Sequence, residues 1–214
     1  MAGEALPAIA VAEHLADRIV ALQGTGVPAA VEELAERLLI DVIGLCLVAR
    51  NTDYVSASRA AWGDAGRATL IGHAGGHSAA SAAFVNGTAA HGEDFDDTFE
   101  GGPVHAGAVI IPAVLAAAED KERSGADVLR GIAVGVETIC RLGLVIPKAV
   151  HKAGFHPTAV FGTMAAAAAV SATLGANRRQ TVDAVGRLSL GRDEGCAHQG
   201  WRAAQCVRRA HGHA

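Results

Sequence analysis

The chain has 214 residues, 50% of them hydrophobic and 19% charged, with a formal net charge of −4. That balance excludes disorder over most of the length. With a pI near 6.2 it also excludes a basic field for nucleic acid or a broadly cationic surface for acidic ligands, so an anionic ligand has to be met by a few local cations.

Aromatics are 4% of the residues while glycine alone numbers 26, so the core has to be built from small side chains and close helix approach. Residues 8–22 repeat Ile9, Val11, Leu15, Ile19 and Leu22 with helical recurrence. Pro28 opens a second helix. Its first turns carry Glu32, Glu33 and Glu36, which suit the positive dipole end, and it runs through Leu38, Val42, Ile43 and Leu47 to about Arg50.

A short helix is expected over 54–66, a strand over 68–72 (Ala-Thr-Leu-Ile-Gly), and a glycine-rich loop over His73–His77. Ser78 or Ser81 then caps a helix through Phe84, Val85 and Ala89 that continues into the acidic run after His91, until Gly101-Gly102-Pro103 breaks it. Further helices are expected over 106–121, over 125–146 with Pro147 ending the last, and from Pro157 onward. The stretch Thr158–Gly175 is apolar mainly through alanine and holds several threonines, which reads as a buried bundle helix rather than a membrane span.

The expected fold class is therefore all-α, a multi-helix bundle over 1–186. A polar, arginine-rich tail over 187–214 lacks apolar periodicity and is expected to be poorly ordered. The four cysteines, Cys46, Cys140, Cys196 and Cys206, form no CxxC pair, and the first two sit in apolar helical runs. With no basic segment at the N-terminus, these features give a reduced, cytoplasmic protein as the expectation.

The densest chemical cluster is His91-Gly92-Glu93-Asp94-Phe95-Asp96-Asp97-Thr98. On a continuous helix His91, Asp94 and Thr98 share a face at i, i+3 and i+7. Acids at a helix C-terminus oppose the dipole, and function is one reason to tolerate that; a solvated helix end is the bland alternative. His105 and His156 each stand at the opening of an apolar helix, where free N–H groups favour anions. Alone, each reads as a cap or surface residue. Together they repeat one arrangement.

These residues also carry a family resemblance. The run AAFVNGTAAHGEDFDDT (82–98) resembles the MmgE/PrpD signature of Asn-Gly-x-x-x-His followed by Asp-Phe-Asp-Asp-Thr. HAGAVIIPAVLAAAE (105–119), GFHPTAVFGTMAAAAAVSATLG (154–175) and LLIDVIGLCLVAR (38–50) resemble further helices of the family, in order along residues 8–186. The resemblance implies a helical N-terminal domain of a dimeric lyase that works without metal or other cofactor. Such lyases dehydrate 2-methylcitrate-like acids or decarboxylate cis-aconitate-like ones.

Carried over by motif, Asp94 and Thr98 line the pocket with His105 and His156 beside the substrate; Asp97, His91 and His198 complete the substrate-binding set. Abstraction of a proton α to a carboxylate needs a base and donors aimed at the developing charge, and histidine serves either need. His156 or His105 is the acid/base, in an order the sequence leaves open. Asp94 is the orienter that sets a tautomer or raises a histidine pKa.

The match departs from the family over 195–204, Gly-Cys-Ala-His-Gln-Gly-Trp-Arg-Ala-Ala. His198 and Gly200 fit the pattern, but its carboxylate-binding lysine is absent, and Arg192 or Arg202 replaces the charge without the geometry. The tail's texture suggests a truncated or frame-disrupted product lacking a C-terminal α+β domain, with impaired activity.

Two rival readings come from other classes. One is a non-catalytic helical remnant or oligomerisation partner. The other reads Asp96-Asp97-x-x-Glu100 as a magnesium site of a prenyl-diphosphate enzyme, against which stand the lack of a second acidic motif and the few aromatics. His73 and His77 have a zinc-like spacing, but Ala-Gly-Gly between them favours a loop.

Overall fold

A computed structural model describes residues 10–189 apart from 63 and 147, with side-chain surroundings described as far as 186. Of the tail expected over 187–214, only the end of the last helix is included; His198, Cys196, Cys206, Arg192 and Arg202 lie outside the described residues. Nine helices and one two-stranded hairpin make up the described residues, which is the all-α class expected.

Helix α1 (Val11–Thr25) and α2 (Ala29–Ala49) follow the apolar periodicity, the second opening directly after Pro28. Helix α3 (Asp53–Ala61) is shorter than the 54–66 expected, because the chain from 65 enters a strand instead. That strand, β1 (Ala65–Thr69), pairs antiparallel with β2 (Gly76–His77), so the strand lies three residues earlier than the one expected at 68–72 and the last two residues of the glycine-rich loop belong to a sheet.

The cause is local. Gly66 and Gly76 cross so closely that a Cβ on Gly76 would sit 2.3 Å from the Gly66 carbonyl oxygen. Beyond Thr69 the backbone is taken up by a side chain: Asn86 donates to the Thr69 carbonyl at 2.9 Å and accepts from the Ile71 N–H at 3.0 Å.

Helix α4 (Ala79–His91) is capped by Ser78, whose hydroxyl accepts the Ser81 N–H at 3.2 Å. It ends at His91. The expected continuation through Thr98 does not form, since Asp94 adopts a left-handed conformation with φ of 56°.

Helix α5 (Ala106–Asp120) and α6 (Gly125–Val145) form where expected, and Ser124 and Asp127 close a reciprocal cap on the latter. The stop expected at Pro147 falls on an undescribed residue. The loop expected before His156 contains one helical turn, α7 (Ala149–Lys152). Helix α8 (Pro157–Leu174) begins on Pro157 and closes on Gly175 with φ of 68°. Helix α9 (Arg178–Ser189) packs Ala184 and Val185 against Ile19 of α1, and Arg178 meets Asp17 at 2.6 Å.

The core is the contact of α5, α6 and α8, built from small residues as the composition requires. Ala165 to Ala169 of α8 are all buried. A Cβ on Gly131 would fall 1.9 Å from the Thr173 hydroxyl, and one on Gly135 would fall 2.8 Å from the Ala169 Cβ, so glycine on α6 sets the approach of α8. Helix α8 is long and apolar enough to cross a membrane, yet 78% of it is buried inside the fold, which is the setting of a core helix.

Within α5, Pro112 has no N–H to offer the Ala108 carbonyl. Gly87 of α4 lies against that oxygen, where a Cβ would stand only 3.2 Å away. Cys46 is buried and Cys140 half-buried, both as free thiols, and burial pushes them up to about 12 and about 11.

Candidate active site

Three helix ends meet at one end of this bundle. Helix α4 delivers His91 at its last turn. Gly92 follows under the Tyr54 ring, so close that a Cβ there would lie 2.4 Å from ring atoms. The acidic run then turns back on itself: the Phe99 N–H donates to the Val104 carbonyl at 3.0 Å, which returns the chain to His105 at the start of α5. Gly102 lets that loop settle on α6, where a Cβ would meet the Gly143 backbone at 2.6 Å. The run of glycines is thus needed for close approach as well as for breaking a helix.

His156 arrives from the start of α8. The rings of His91 and His105 have centroids 4.9 Å apart, and His156 stands 5.9 Å from each. His151 of α7 lies 5.9 Å from His156 and extends the cluster.

Asp96 sits beneath the first two rings. Its Oδ2 is 2.9 Å from His91 Nδ1 in a hydrogen bond, and its Oδ1 is 3.4 Å from His105 Nδ1, an ion-pair distance without hydrogen-bond geometry. The Asp96 side chain is fully buried, with 0% exposure. Thr98 Oγ1 stands 3.4 Å from His105 Nδ1. The His105 backbone N–H donates to the buried Thr158 hydroxyl at 2.9 Å.

The acids of the run therefore do different things. Asp97 accepts the Gly107 N–H at 2.7 Å and the Ala106 N–H at 3.2 Å, so its carboxylate caps α5 from across the loop. The opening of α5, expected to be free for an anion, is already held by Asp97. Asp94 is exposed and, among the described residues, hydrogen-bonds neither His105 nor His156; the carboxylate bonded to a ring is Asp96. The helical face expected for His91, Asp94 and Thr98 does not exist, because the helix stops. Of the Asp96-Asp97 pair, Asp96 Oδ2 and both Asp97 oxygens are hydrogen-bonded, and Asp96 Oδ1 is not. His73 lies in the hairpin turn and His77 in β2, with no helix to bring them onto one face.

Environment divides the titrating groups. The Asp96 hydrogen bond raises the His91 pKa above the ordinary histidine range, against the opposing effect of burial. His156 is pushed down, first by burial and then by the other imidazoles around it. Burial acts to raise Asp96, but the His91 hydrogen bond and the neighbouring imidazolium charge outweigh it and leave the carboxyl below its usual range. Asp97 is raised by burial, in spite of its two backbone donors.

The site thus holds one imidazole whose charged form is favoured, one whose neutral form is favoured, and carboxylates beside them. A family model for the MmgE/PrpD N-terminal domain matches residues 13–210.

The chain belongs to the MmgE/PrpD family.

It is 33% identical over 187 residues to a cis-aconitate decarboxylase-like protein, oryM, of Aspergillus oryzae, covering 82% of this chain and 39% of that one. Against the cis-aconitate decarboxylase of Aspergillus terreus the identity is 30% over 174 residues, covering 75% of this chain and 34% of that one. Against the human cis-aconitate decarboxylase it is 42% over 100 residues, covering 44% and 20%. The chain thus spans at most 39% of the length of these curated relatives.

In this MmgE/PrpD domain the signature residues have separable physical tasks. Asn86 clamps the strand edge, Gly87 admits α5, His91 ends α4 in the site, and Asp97 caps the next helix. The sequence offers Asp96 only as part of an acidic metal run and gives no role to Thr158 or His151. Asp96 and Thr158 lie inside motifs quoted for the resemblance, so their positions are visible in the sequence while their partners are not. His151 had no motif signal.

His91, Asp94, Asp96 and His105 each offer a donor atom within 4.8 Å of the others, a set of two imidazoles and two carboxylates that would also suit a zinc-class ion.

Proposed function

We propose that this domain forms the histidine-bearing wall of a lyase that removes water or carbon dioxide from a small polycarboxylic acid. The observation that carries this reading is the meeting of His91, His105 and His156, from three helix ends, with no ring centroid more than 5.9 Å from another.

His156, kept neutral by burial and by its neighbours, is suited to accept the proton α to a carboxylate. The positive charge that Asp96 stabilises on His91 is suited to meet the substrate's carboxylates and the enolate-like charge that develops. In a dehydration, a His105 that enters the step protonated gives its proton to the departing hydroxyl while His156 holds the one taken from carbon; in a decarboxylation, an imidazolium protonates carbon as carbon dioxide leaves. Thr98, beside His105, and Asp94, exposed on the loop between α4 and α5, are proposed to line the same substrate site. The chemistry proposed needs no metal.

Turnover by the chain alone is expected to be low, because the stretch 195–204 carries no lysine to hold a second carboxylate. The chain is also proposed to self-associate: α2 leaves Leu34, Ile40, Leu47 and Val48 exposed, apolar surface suited to a second copy. The same surface favours the second reading, a non-catalytic helical partner. Calorimetry with cis-aconitate and with 2-methylcitrate tests the first reading. Binding of either acid that is lost in His105→Ala and His156→Ala supports it; no binding of either acid to the wild type overturns it, and then the second reading stands. Robust product formation by the chain alone would overturn the expectation of low turnover.

A further inference from the structure

We infer that Asp96 is the positioning residue of this site, holding His91 and His105 together by their Nδ1 atoms so that both rings present Nε2 to a bound ligand. The functional consequence rests on the lyase reading; the positioning itself does not.

The argument starts from burial. A carboxylate with 0% side-chain exposure needs its lone pairs met by donors. One oxygen has its donor in His91 Nδ1 at 2.9 Å. The other lacks a hydrogen bond, and the nitrogen facing it is His105 Nδ1 at 3.4 Å. With a lone pair on that nitrogen, two acceptors would face each other in a buried place. With a proton on it, the Asp96 oxygen gains a charge-assisted partner by a small closure of the gap.

Both rings are thereby driven to carry hydrogen on Nδ1, and the neutral form of each then has its lone pair on Nε2. One buried acid thus sets two tautomers. It also fixes the ring pair whose centroids lie 4.9 Å apart, which neither helix end does alone.

Other charged groups face the pair. Asp94 acts on His91 from the exposed side of the loop, Asp97 lies next to Asp96 at the α5 opening, and His156 with His151 approaches from α8 and α7. None of these charged groups is hydrogen-bonded to either Nδ1 among the described residues; the neutral Thr98 hydroxyl is, 3.4 Å from His105 Nδ1, and in the Nδ1–H tautomer it accepts from the same proton that faces Asp96. Asp94, the acid that the sequence suggested as orienter, is exposed and is the useful contrast.

Nitrogen-15 NMR of the full chain distinguishes the two imidazole tautomers without any substrate. In the wild type, neutral His91 and His105 are both expected as the Nδ1–H tautomer. In Asp96→Asn the amide can accept from one ring but must donate to the other, so one ring is expected to switch to Nε2–H, and the His91 titration midpoint is expected to fall. Asp94→Asn is expected to leave both tautomers in place. Nε2–H tautomers in the wild type would overturn the inference whether or not the variant folds. So would unchanged tautomers and midpoint in a folded Asp96→Asn. Correct tautomers in a chain that binds neither acid would leave the inference standing and remove the lyase reading.

Discussion

The Thr158 hydroxyl accepts the His105 backbone N–H at 2.9 Å, so the first turn of α8 holds the residue that opens α5. Thr158 is buried. Thr158→Val keeps the shape of the side chain and removes the acceptor, leaving a sheltered N–H without a partner. The expected cost is about 1–3 kcal/mol of stability, read as a lower urea midpoint at unchanged slope, while Thr158→Ser retains most of the wild-type value. A valine variant as stable as the wild type would mean that this hydroxyl does not tie the two helices.

The approach of α6 to α8 depends on Gly131. A methyl group there would overlap the Thr173 hydroxyl, which itself donates to the Ala169 carbonyl at 2.9 Å. Gly131→Ala is therefore expected to destabilise by about 1–3 kcal/mol through overpacking, in spite of the better helix propensity of alanine. Thr173→Ala removes the obstructing atom. The double variant Gly131→Ala/Thr173→Ala is expected to be more stable than the sum of the two single changes allows, with a coupling of about 0.5–3 kcal/mol in a denaturation cycle. Additive losses would place the strain elsewhere.

The helices were legible because their signals are local. Apolar recurrence, Pro28, Ser78 and Pro157 mark α1, α2, α4 and α8 within a residue or a few of where they lie. The misses are all long-range. Nothing in the order of letters says that Asn86 will take the backbone of Thr69 and Ile71 and so end a strand that otherwise looks apolar to residue 72. The acidic run has helix-compatible spacing, but Asp97 bonds to Ala106 and Gly107, nine and ten residues away, and that demand favours a turn at Asp94 over a further helical turn. The histidines were singled out for standing at helix openings. Asp96, which the sequence offers only as a metal-run acid, is hidden as their partner because Asp94, at a helical spacing from His91, looks better placed on a helix that does not continue.

Two histidines of the cluster are expected to titrate on opposite sides of the ordinary value of about 6.5. His91 is raised by its Asp96 hydrogen bond and His156 lowered by burial. For His91 the folded state binds the proton more tightly than the unfolded chain. Its contribution to stability is complete below the unfolded pKa and is lost as pH rises through the raised folded one. For His156 the sign reverses: protonation costs stability, fully so below its lowered folded pKa, and the cost vanishes above the unfolded one. NMR titration of the imidazole carbons is expected to show His91 still charged when His156 has become neutral. The reverse order would contradict the division of roles proposed for a cationic His91 and a neutral His156.

Removal of metal ions separates the two uses to which the same donors can be put. His91, Asp94, Asp96 and His105 lie close enough to share an ion, yet the geometry also gives Asp96 a complete task within the protein, binding His91 in a hydrogen bond and facing His105. An ion would have to compete with the proton on His91 Nδ1, which the buried carboxylate favours, and to draw the Asp96 oxygens away from both rings. Dialysis against EDTA is therefore expected to leave the affinity for cis-aconitate or 2-methylcitrate within a factor of two or so, since 1.4 kcal/mol would already appear as about tenfold. Zinc added to the dialysed protein is expected to weaken binding by taking the imidazole nitrogens the acid needs. Loss of binding on chelation, restored by zinc, would show instead that these four side chains hold an ion and that the positive charge meeting the substrate is the metal's rather than that of His91.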